Sequence, residues 1–390
     1  MTPKIKAVTA RPILDSRGDW TIEATLELEN NVRATAAVPT GKSRGQNEAS
    51  TVSVNDAVSN IEQIISPAVM GLLVEEQVVL DERLIQIDGT ANKSRLGANA
   101  LLAVSLAAAR AAASAQSVPL WRHLNQLANH PRPQFPKLLV NMINGGEHSG
   151  SNLKIQEYLM MAQTNNPQQS VDLAQKFYQS LKKIVGQKLG RAALKVGDEG
   201  GLAPDLDNPA APLELLTEVA SELTAAEQVE FNFGIDAAAN NLTWSPTEAS
   251  QIYDDLLKHY RLTYIEDPFA ETQVEAFTTF TSAHRSIMVV GDDLTVTNPR
   301  LITDDKIKNS VSGVIIKPNQ IGTLTETLTA CAAARKNNWQ IFVSHRSGET
   351  NDDFIVDLAY AVGADGLKLG APCRGERVAK YNRLLAIAGS

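Results

Sequence analysis

The segment Val229-Glu-Phe-Asn-Phe-Gly-Ile-Asp236 is an apolar run that ends in a carboxylate, and similar runs ending in a polar residue recur towards the C-terminus. The recurring polar residues are 23 to 30 residues apart, about what one strand, one helix and two loops occupy in a βα unit. They are Asp236, Glu266, Asp292, Lys317, His345 and Lys368. The pattern predicts a parallel barrel with these side chains at the carboxyl ends of its strands, where they would share one mouth.

Helix start signals separate the apolar runs. Ser245-Pro-Thr-Glu248 is a predicted capping box with proline at the first helical position, and Thr323-Leu-Thr-Glu326 repeats the box. The alternation of strands and helices predicts (β/α) packing.

The start of the barrel departs from this regular pattern. Residues 137–143 and 153–162 are both apolar, but the connection between them is too short for a crossover helix, so we expect a hairpin. Two helical segments, at about 169–188 and 212–226, then precede the regular units.

The first third of the chain has a different pattern. Residues 21–29 alternate apolar and polar side chains, which is typical of a half-exposed antiparallel strand, and residues 32–38 can pair with them. Helical segments are predicted near 54–70 and 97–117. This part of the chain therefore predicts a small sheet with helices.

Prolines at 131, 133 and 136 mark a connection at which we place the domain boundary. We expect an α+β capping domain that carries a lid loop over residues 1–135 and a barrel domain over residues 136–390. The predicted fold class is α/β, with a C-terminal (β/α)8 TIM-like barrel that has an irregular ββαα(βα)6 start.

Composition excludes several classes of protein. The 390 residues are 43% hydrophobic, which is ample for a large core, and the net charge of −8 without long basic clusters argues against nucleic acid as a partner. The charged N-terminus is not a signal peptide, and the apolar stretch 101–115 is short, so we expect a buried helix, no membrane partner and a cytoplasmic protein. The two cysteines, Cys331 and Cys373, are too few for a disulfide framework or a thiolate metal site.

The predicted mouth contains candidate metal ligands and candidate bases. Asp236, Glu266 and Asp292 offer hard oxygen ligands from adjacent strands, and a site of oxygen ligands alone suits magnesium. Lys317 and Lys368 are unusual inside a barrel mouth. Because desolvation and neighbouring cations depress the pKa of a lysine, we expect that one of the two can act as a neutral base.

Glycine-rich loops carry further candidates. Glu199 lies in one such loop and Glu157 at the far end of the predicted hairpin; if they meet, repulsion raises one carboxyl pKa and leaves a protonated acid. His148 lies in the loop Asn144-Gly-Gly-Glu-His148. Ser43 lies in the loop Pro39-Thr-Gly-Lys-Ser-Arg-Gly45, whose glycines permit hinge-like motion, so its hydroxyl can reach a ligand.

Ten short blocks together resemble the enolase family, in the order of that family and over nearly the whole chain. The blocks are Leu14-Asp-Ser-Arg-Gly18, Leu96-Gly-Ala-Asn-Ala-Leu-Leu102, Asn144-Gly-Gly-Glu-His148, Gln156-Glu157, Gly197-Asp-Glu-Gly-Gly201, Ile265-Glu-Asp-Pro268, Asp292-Asp-Leu-Thr-Val-Thr-Asn298, Lys317-Pro-Asn-Gln-Ile-Gly-Thr323, Ser344-His-Arg-Ser-Gly-Glu-Thr350 and Lys368-Leu-Gly-Ala-Pro372. The resemblance implies reversible conversion of 2-phosphoglycerate to phosphoenolpyruvate and water.

The resemblance also implies two Mg²⁺ ions in each active site. Asp236, Glu266 and Asp292 would hold the first ion, and Ser43 would join the second when its loop closes over the substrate phosphate.

The remaining site residues follow from the same resemblance. Lys317 would remove the C2 proton, and Glu199, helped by Glu157, would release the C3 hydroxyl as water. The positions matching substrate-binding residues are His148, Gln156, His345, Arg346, Ser347 and Lys368.

Two of the departures from the family pattern concern the lid loop and the subunit interface. The lid loop has Thr40-Gly-Lys-Ser-Arg-Gly45 where the family usually has Ser-Gly-Ala-Ser-Thr-Gly, which adds two cations. Arg11 and Glu23 keep one member each of the usual intersubunit pairs, whereas Lys176 and Ala386 replace their partners. We still expect a homodimer or a higher homo-oligomer, since exposed ion pairs contribute only about 0 to 1 kcal/mol.

Two other functions compete with this interpretation. One is a different acid-sugar dehydratase or racemase of the same superfamily, which the retained phosphate-binding block Ser344–Thr350 argues against. The other is a non-catalytic binding or structural protein, which would be favoured by loss of a metal carboxylate or a catalytic charge; none is lost.

Overall fold

The computed structural model describes residues 2–42, 45–146 and 149–389, and this part of the chain begins with a three-stranded antiparallel sheet. The strands are β1 (Ile5–Leu14), β2 (Trp20–Leu28) and β3 (Arg33–Ala37). β2 lies in the middle, and its side chains alternate between buried and partly exposed positions as predicted. β1 was not predicted.

Helices follow the sheet. They are α1 (Val54–Asn60), a π-helical turn (Ile61–Ile65), α2 (Ser66–Val69), α3 (Gln77–Asp88), α4 (Ala98–Ala115) and α5 (Leu120–Leu127). The two predicted helical segments are confirmed, whereas α3 and α5 were not predicted. α4 is long and apolar enough to span a membrane, but 83% of it is buried, and it packs against β2 and β3. It is therefore the core helix of this part of the chain.

Within the described residues, eight strands close into a barrel in chain order. The strands are β4 (Lys137–Asn144), β5 (Glu157–Ala162), β6 (Phe231–Asp236), β7 (Leu262–Glu266), β8 (Met288–Gly291), β9 (Gly313–Ile316), β10 (Gln340–Ser344) and β11 (Gly366–Lys368). β5 runs antiparallel to both β4 and β6, and the other neighbours are parallel. The predicted hairpin and the predicted irregular start are confirmed.

Helices surround the barrel in the predicted ββαα(βα)6 order. They are α6 (Pro167–Leu189), α7 (Ala211–Glu227), α8 (Pro246–His259), α9 (Val274–Ala283), α10 (Pro299–Ile302), α11 (Pro318–Ile321), α12 (Leu324–Lys336), α13 (Phe354–Ala361) and α14 (Gly375–Ala388). Short 3₁₀ turns lie at Arg191–Leu194 and Ala239–Asn241.

The two predicted capping boxes form to different extents. Ser245 and Glu248 exchange both hydrogen bonds, so the first box is complete. The Thr323 hydroxyl accepts from the backbone N–H of Glu326. However, the Glu326 carboxylate accepts from the Thr323 hydroxyl and from Lys93. The Glu326 carboxylate therefore does not make the second hydrogen bond of the box and instead forms an ion pair with Lys93, from the first third of the chain.

Large side chains fill the inside of the barrel below its mouth. The inner cluster consists of Leu139, Leu159, Met161, Tyr264, Val290, Ile315 and Phe342. Tyr264 and Phe342 pack edge to face with their ring centroids 5.1 Å apart, and the Tyr264 hydroxyl donates to Glu266 Oε2 at 2.7 Å. The polar residues at the mouth therefore rest on a packed apolar floor.

Candidate active site

The barrel mouth brings together the six strand-end residues that the sequence predicted. Three are the last residues of their strands and three follow their strands directly: Asp236, Glu266, Lys368, Asp292, Lys317 and His345. All of them line one cavity except Glu266, which is fully buried beside it. The interpretation of these runs as parallel strands ending at one mouth is confirmed.

β5 runs in the reverse direction, so the residues at its amino end lie at the barrel mouth. Glu157 is the first residue of β5, and it pairs with Asp236 of β6 on one side and Asn144 of β4 on the other. Gln156 precedes it, and both Gln156 and Glu157 are buried and line the cavity. The hairpin therefore delivers two predicted residues to the mouth.

Lys368 is buried at the centre of a group of carboxylates. Its Nζ lies 3.0 Å from Asp236 Oδ2, 2.8 Å from Glu266 Oε2 and 3.0 Å from Glu157 Oε1. Burial opposes the charged form, but Asp236, Glu157 and Glu266 together raise the pKa of Lys368 well above its usual value. Lys368 is therefore an ammonium ion that compensates buried negative charge.

Two of these carboxyl groups are harder to ionise than usual. Burial, followed by repulsion from Asp236, raises the pKa of Glu266 to about 8. Burial, followed by repulsion from Glu199, raises the pKa of Glu157 well above its usual value. The sequence predicted that, if Glu157 and Glu199 meet, one of them is a protonated acid, and a raised pKa favours the protonated form of Glu157.

Lys317 forms a short ion pair with Asp292 Oδ2. Burial opposes the ammonium form of Lys317, yet the Asp292 carboxylate raises its pKa. One of the two lysines was expected to have a depressed pKa and to be neutral, but the pKa of each is raised. The reason is that each lysine contacts carboxylates closely, which outweighs desolvation and the repulsion between cations.

Glu199 lines the same cavity as Lys317 and belongs to a second group with Glu157 and His345. Glu199 Oε2 accepts from Asn141 Nδ2 at 2.7 Å, and Glu199 Oε1 lies 3.6 Å from His345 Nε2. Arg377 Nη1 donates to His345 Nδ1 at 2.5 Å, because a guanidinium group has no acceptor. Burial and then Arg377 lower the pKa of His345 well below its usual value, so the ring is neutral with its proton on Nε2.

Arg346 and Ser347 face the lid segment, by which we mean residues 39–49 as far as they are described. Arg346 Nη2 and Nη1 donate to Glu48 Oε1 and Oε2 at 3.1 and 3.2 Å. The Ser347 hydroxyl accepts from the backbone N–H of Lys42 at 3.1 Å. A Cβ atom at Gly41 would lie 1.8 Å from Arg346 Nη2, so only glycine permits this approach of the backbone.

Carboxylates in the mouth provide a donor set for a metal ion. Within the described part of the chain, the groups whose donor atoms lie within 4.8 Å of one another are Glu157–Glu199–His345 and Asp267–Asp292–Asp293. Asp236 and Glu266 instead contact Lys368 Nζ. Burial and then Asp292 raise the pKa of Asp293 to about 7. An excess of buried carboxylates that repel one another fits a divalent cation with oxygen ligands.

Two predicted site residues, Ser43 and His148, lie outside the described residues. Several residues that sequence reasoning missed do contact the site. They are Glu48, Asn141, Asp267, Gln320 and Arg377. Asn141 is a polar residue within a mostly apolar strand, and because a buried polar side chain needs a hydrogen-bond partner, this position could have been predicted as a candidate. The other four lie in loops or helices where nothing in their spacing distinguishes them from solvent-exposed polar residues.

Comparison with known proteins gives consistent matches across the chain. The family model described as "Enolase, N-terminal domain" matches residues 5–124, and "Enolase, C-terminal TIM barrel domain" matches residues 133–246 and 220–390. An enolase of Metallosphaera sedula is 40% identical over 402 residues, covering 98% of this chain and 95% of the relative. An enolase of Mastigamoeba balamuthi is 38% identical over 420 residues, with 98% and 95% coverage.

Proposed function

The chain belongs to the enolase family and is a carbon–oxygen lyase, and from this premise we propose that it converts 2-phosphoglycerate reversibly to phosphoenolpyruvate and water with Mg²⁺, in glycolysis and gluconeogenesis. One observation carries the proposal. Lys317 and Glu199 line the same buried cavity from different barrel loops, next to Arg346 and Ser347. A base, an acid and a group suited to phosphate thus surround one small volume.

Lys317 is the proposed base that takes the C2 proton. Its amine must first lose its own proton and leave the ion pair with Asp292, which raises its pKa. The C2 proton of the substrate is weakly acidic because its removal adds negative charge beside a carboxylate. Base catalysis therefore requires positive charge near the substrate carboxylate.

Glu199 is the proposed acid that delivers a proton to the leaving C3 hydroxyl. Asn141 donates a hydrogen bond to the carboxyl group of Glu199. A carboxyl oxygen of Glu157 lies within 4.8 Å of one of Glu199, so the two groups can share one negative charge. A raised pKa for Glu157 keeps a proton available within this pair at neutral pH. The neutral His345 beside them can donate a hydrogen bond from Nε2 to substrate.

Asp236, Glu266 and Asp292 are the proposed ligands of a first Mg²⁺, and Ser43 of a second. When bound, the ions would offset the negative charge that develops as the C2 proton leaves. The carboxylate oxygens present fit a hard cation, and the lysine contacts show that these oxygens already bind positive charge.

Arg346 and Ser347 are the proposed phosphate ligands. The planar guanidinium group can donate two parallel hydrogen bonds to a phosphate, and in the structure it makes this kind of contact with Glu48. Gln156, Lys368 and His148 are proposed to complete the contacts with substrate.

We also infer a domain boundary near residue 135, a cytoplasmic location and a homodimer. Arg11 and Glu23 pair within the chain at 2.8 Å, between β1 and β2. The side chains of Leu14 and Trp20, which are 54% and 62% exposed, lie on the same sheet and offer apolar area to a second copy. Sedimentation velocity would test the proposed homodimer, and a monomer at micromolar concentration would contradict it.

Substrate selectivity tests the proposed reaction against the other superfamily activities. We expect the purified protein with Mg²⁺ to dehydrate 2-phosphoglycerate and to leave unphosphorylated acid sugars unchanged, because Arg346 and Ser347 need a phosphate partner. Turnover of an unphosphorylated acid sugar in place of 2-phosphoglycerate would favour the dehydratase or racemase alternative.

A further inference from the structure

Both ends of the lid segment, residues 39–49 as far as they are described, attach to the two residues after Pro318. Asn319 Nδ2 donates to the carbonyl of Pro39 at 3.3 Å, and the backbone N–H of Ala49 donates to the carbonyl of Gln320 at 2.8 Å. These contacts lie within three residues of Lys317 in the chain. The position of the lid segment is therefore linked to the backbone that carries the proposed base.

The side chain of Gln320 joins two carboxylates. Its Nε2 donates to Asp292 Oδ1 at 2.9 Å and to Glu48 Oε1 at 3.3 Å. Its Oε1 accepts from the Thr297 hydroxyl at 2.7 Å, and Thr297 Oγ1 accepts in turn from the backbone N–H of Lys317 at 2.8 Å. Gln320 is 1% exposed, so water does not compete for these hydrogen bonds.

Glu48 extends the same network to the guanidinium group of Arg346. The two carboxylate oxygens of Glu48 accept from Nη2 and Nη1, and both side chains are at least nine-tenths buried. A bidentate pair fixes the plane of the guanidinium group as well as its position. The orientation of Arg346 therefore depends on where the end of the lid segment lies.

We propose that Gln320 and Glu48 are positioning residues, through which the seated lid segment orients the carboxylate of Asp292 and the guanidinium group of Arg346 together. The inference rests on the proposed function for the roles of Asp292 and Arg346. Its physical basis is that one buried amide group donates hydrogen bonds to both carboxylates, so the position of each carboxylate constrains the position of the other. Loss of such an outer hydrogen bond typically weakens metal binding by about 10 to 100-fold.

The first test removes the amide and keeps the volume. In Gln320→Met, we expect Mn²⁺, used as a spectroscopic probe without substrate, to bind about tenfold more weakly by electron paramagnetic resonance of the free ion. We also expect trypsin to cleave after Lys42 roughly threefold faster or more, because the lid segment is seated for less of the time.

Gln77→Met is the matched control. Gln77 is 2% exposed, and its Nε2 donates to the buried carboxylate of Asp81 at 3.1 Å, but it does not line the cavity at the barrel mouth. A similar hydrogen bond is lost, so we expect a similar change in melting temperature, with Mn²⁺ affinity and the rate of cleavage after Lys42 unchanged.

Glu48→Gln tests the second positioning residue and remains informative if Gln320→Met does not fold. The change keeps the shape of the side chain and removes the charge that pairs with Arg346. We expect faster cleavage after Lys42 and a smaller loss of Mn²⁺ affinity than in Gln320→Met, because the amide of Gln320 still reaches Asp292.

Unchanged Mn²⁺ affinity in folded Gln320→Met, or a loss equal to that in Gln77→Met, would overturn the inference, as would unchanged cleavage in Glu48→Gln. Neither readout requires turnover. If the wild-type protein binds Mn²⁺ with this dependence but forms no phosphoenolpyruvate, the proposed function fails and the positioning roles stand. If it turns over and the variants bind Mn²⁺ normally, only the positioning roles fail.

Discussion

Glu157 lies directly opposite Asp236 across two antiparallel strands of a barrel whose other neighbours, apart from β4 and β5, are parallel. The reversal of β5 places the first residue of one strand beside the last residue of the next. Both carboxylates then contact the ammonium group of Lys368, at 3.0 Å each. The irregular start of the barrel thus adds a carboxyl group to the mouth that a regular (β/α) unit would have placed at the other end.

Substitution of Lys317 and Glu199 separates the two proton transfers. We expect Lys317→Ala to lower exchange of the C2 proton of 2-phosphoglycerate with solvent by about 100-fold or more, because the base is lost. Glu199→Gln should keep part of this exchange and block dehydration. Proton NMR in D₂O measures exchange, and absorbance of phosphoenolpyruvate measures dehydration.

The control for these variants is Lys306→Ala, an exposed lysine on a loop, which should behave as wild type. Normal dehydration by Glu199→Gln would show that another group is the acid. Undiminished exchange by Lys317→Ala would show that another group is the base.

Loss of Lys368 is expected to destabilise the metal-free protein. Lys368→Met leaves Asp236, Glu266 and Glu157 buried without their shared cation, which typically costs about 3 to 5 kcal/mol of unfolding free energy. Denaturant unfolding in the presence of a chelator measures the change. Lys188→Met removes an exposed ion pair with Glu218 and should leave stability nearly unchanged. Equal effects of the two changes would contradict the assigned role.

The stability of the metal-free protein should fall as the pH rises from about 5 to 8. The pKa of Glu266 is about 8 in the folded protein against a usual value of 4.5, and that of Asp293 is about 7 against 3.8. Between these values the folded protein binds more protons than the unfolded chain, so ionisation of these groups favours unfolding. We expect a fall in melting temperature of roughly 5 °C in the presence of a chelator.

Glu266→Gln provides the control for the pH dependence, because an amide does not titrate. Its melting temperature should change less with pH over the same range than that of the wild type. A wild-type melting temperature that rises with pH, or a slope unchanged in Glu266→Gln, would contradict this explanation.

A methyl group at Gly41 should prevent the lid segment from seating on Arg346. In Gly41→Ala the added Cβ would meet the guanidinium group at 1.8 Å, so one of the two must move. We expect kcat/KM for 2-phosphoglycerate to fall about tenfold or more, with melting temperature nearly unchanged. Gly186→Ala, in the last turn of α6 with 3.6 Å from the added Cβ to its nearest neighbour, should retain activity and gain about 0.4 to 1 kcal/mol of stability. Full activity of Gly41→Ala would contradict the contact.

The barrel could be predicted because its information is local and repeated. Each parallel strand is buried on both faces, so it appears as an apolar run, and a polar residue at its end stands out. The hairpin followed from chain length alone, since the connection to residues 153–162 is too short for a crossover helix. β1, α3 and α5 were missed because their residues carry neither a continuous apolar run nor a clear cap.

The site was predictable as a set of residues and less so as a network. The charges at strand ends and in glycine loops were visible in the sequence, whereas their pairing depends on which side chains meet in three dimensions. Lys317 contacts Asp292 and Lys368 contacts Asp236 and Glu266, so the pKa values of both lysines rise, whereas a fall was expected for one of them. Gln320 and Glu48 could not be found because they are remote in sequence and meet only when the lid segment packs on α11.

The most direct test of the central claim is the formation of phosphoenolpyruvate from 2-phosphoglycerate by the purified protein, followed by ultraviolet absorbance with Mg²⁺ and again with a chelator. We predict steady turnover with Mg²⁺, loss of turnover with the chelator, and recovery when Mg²⁺ is restored. No turnover by folded protein with Mg²⁺ bound, or turnover that persists in the chelator, would contradict the proposed reaction.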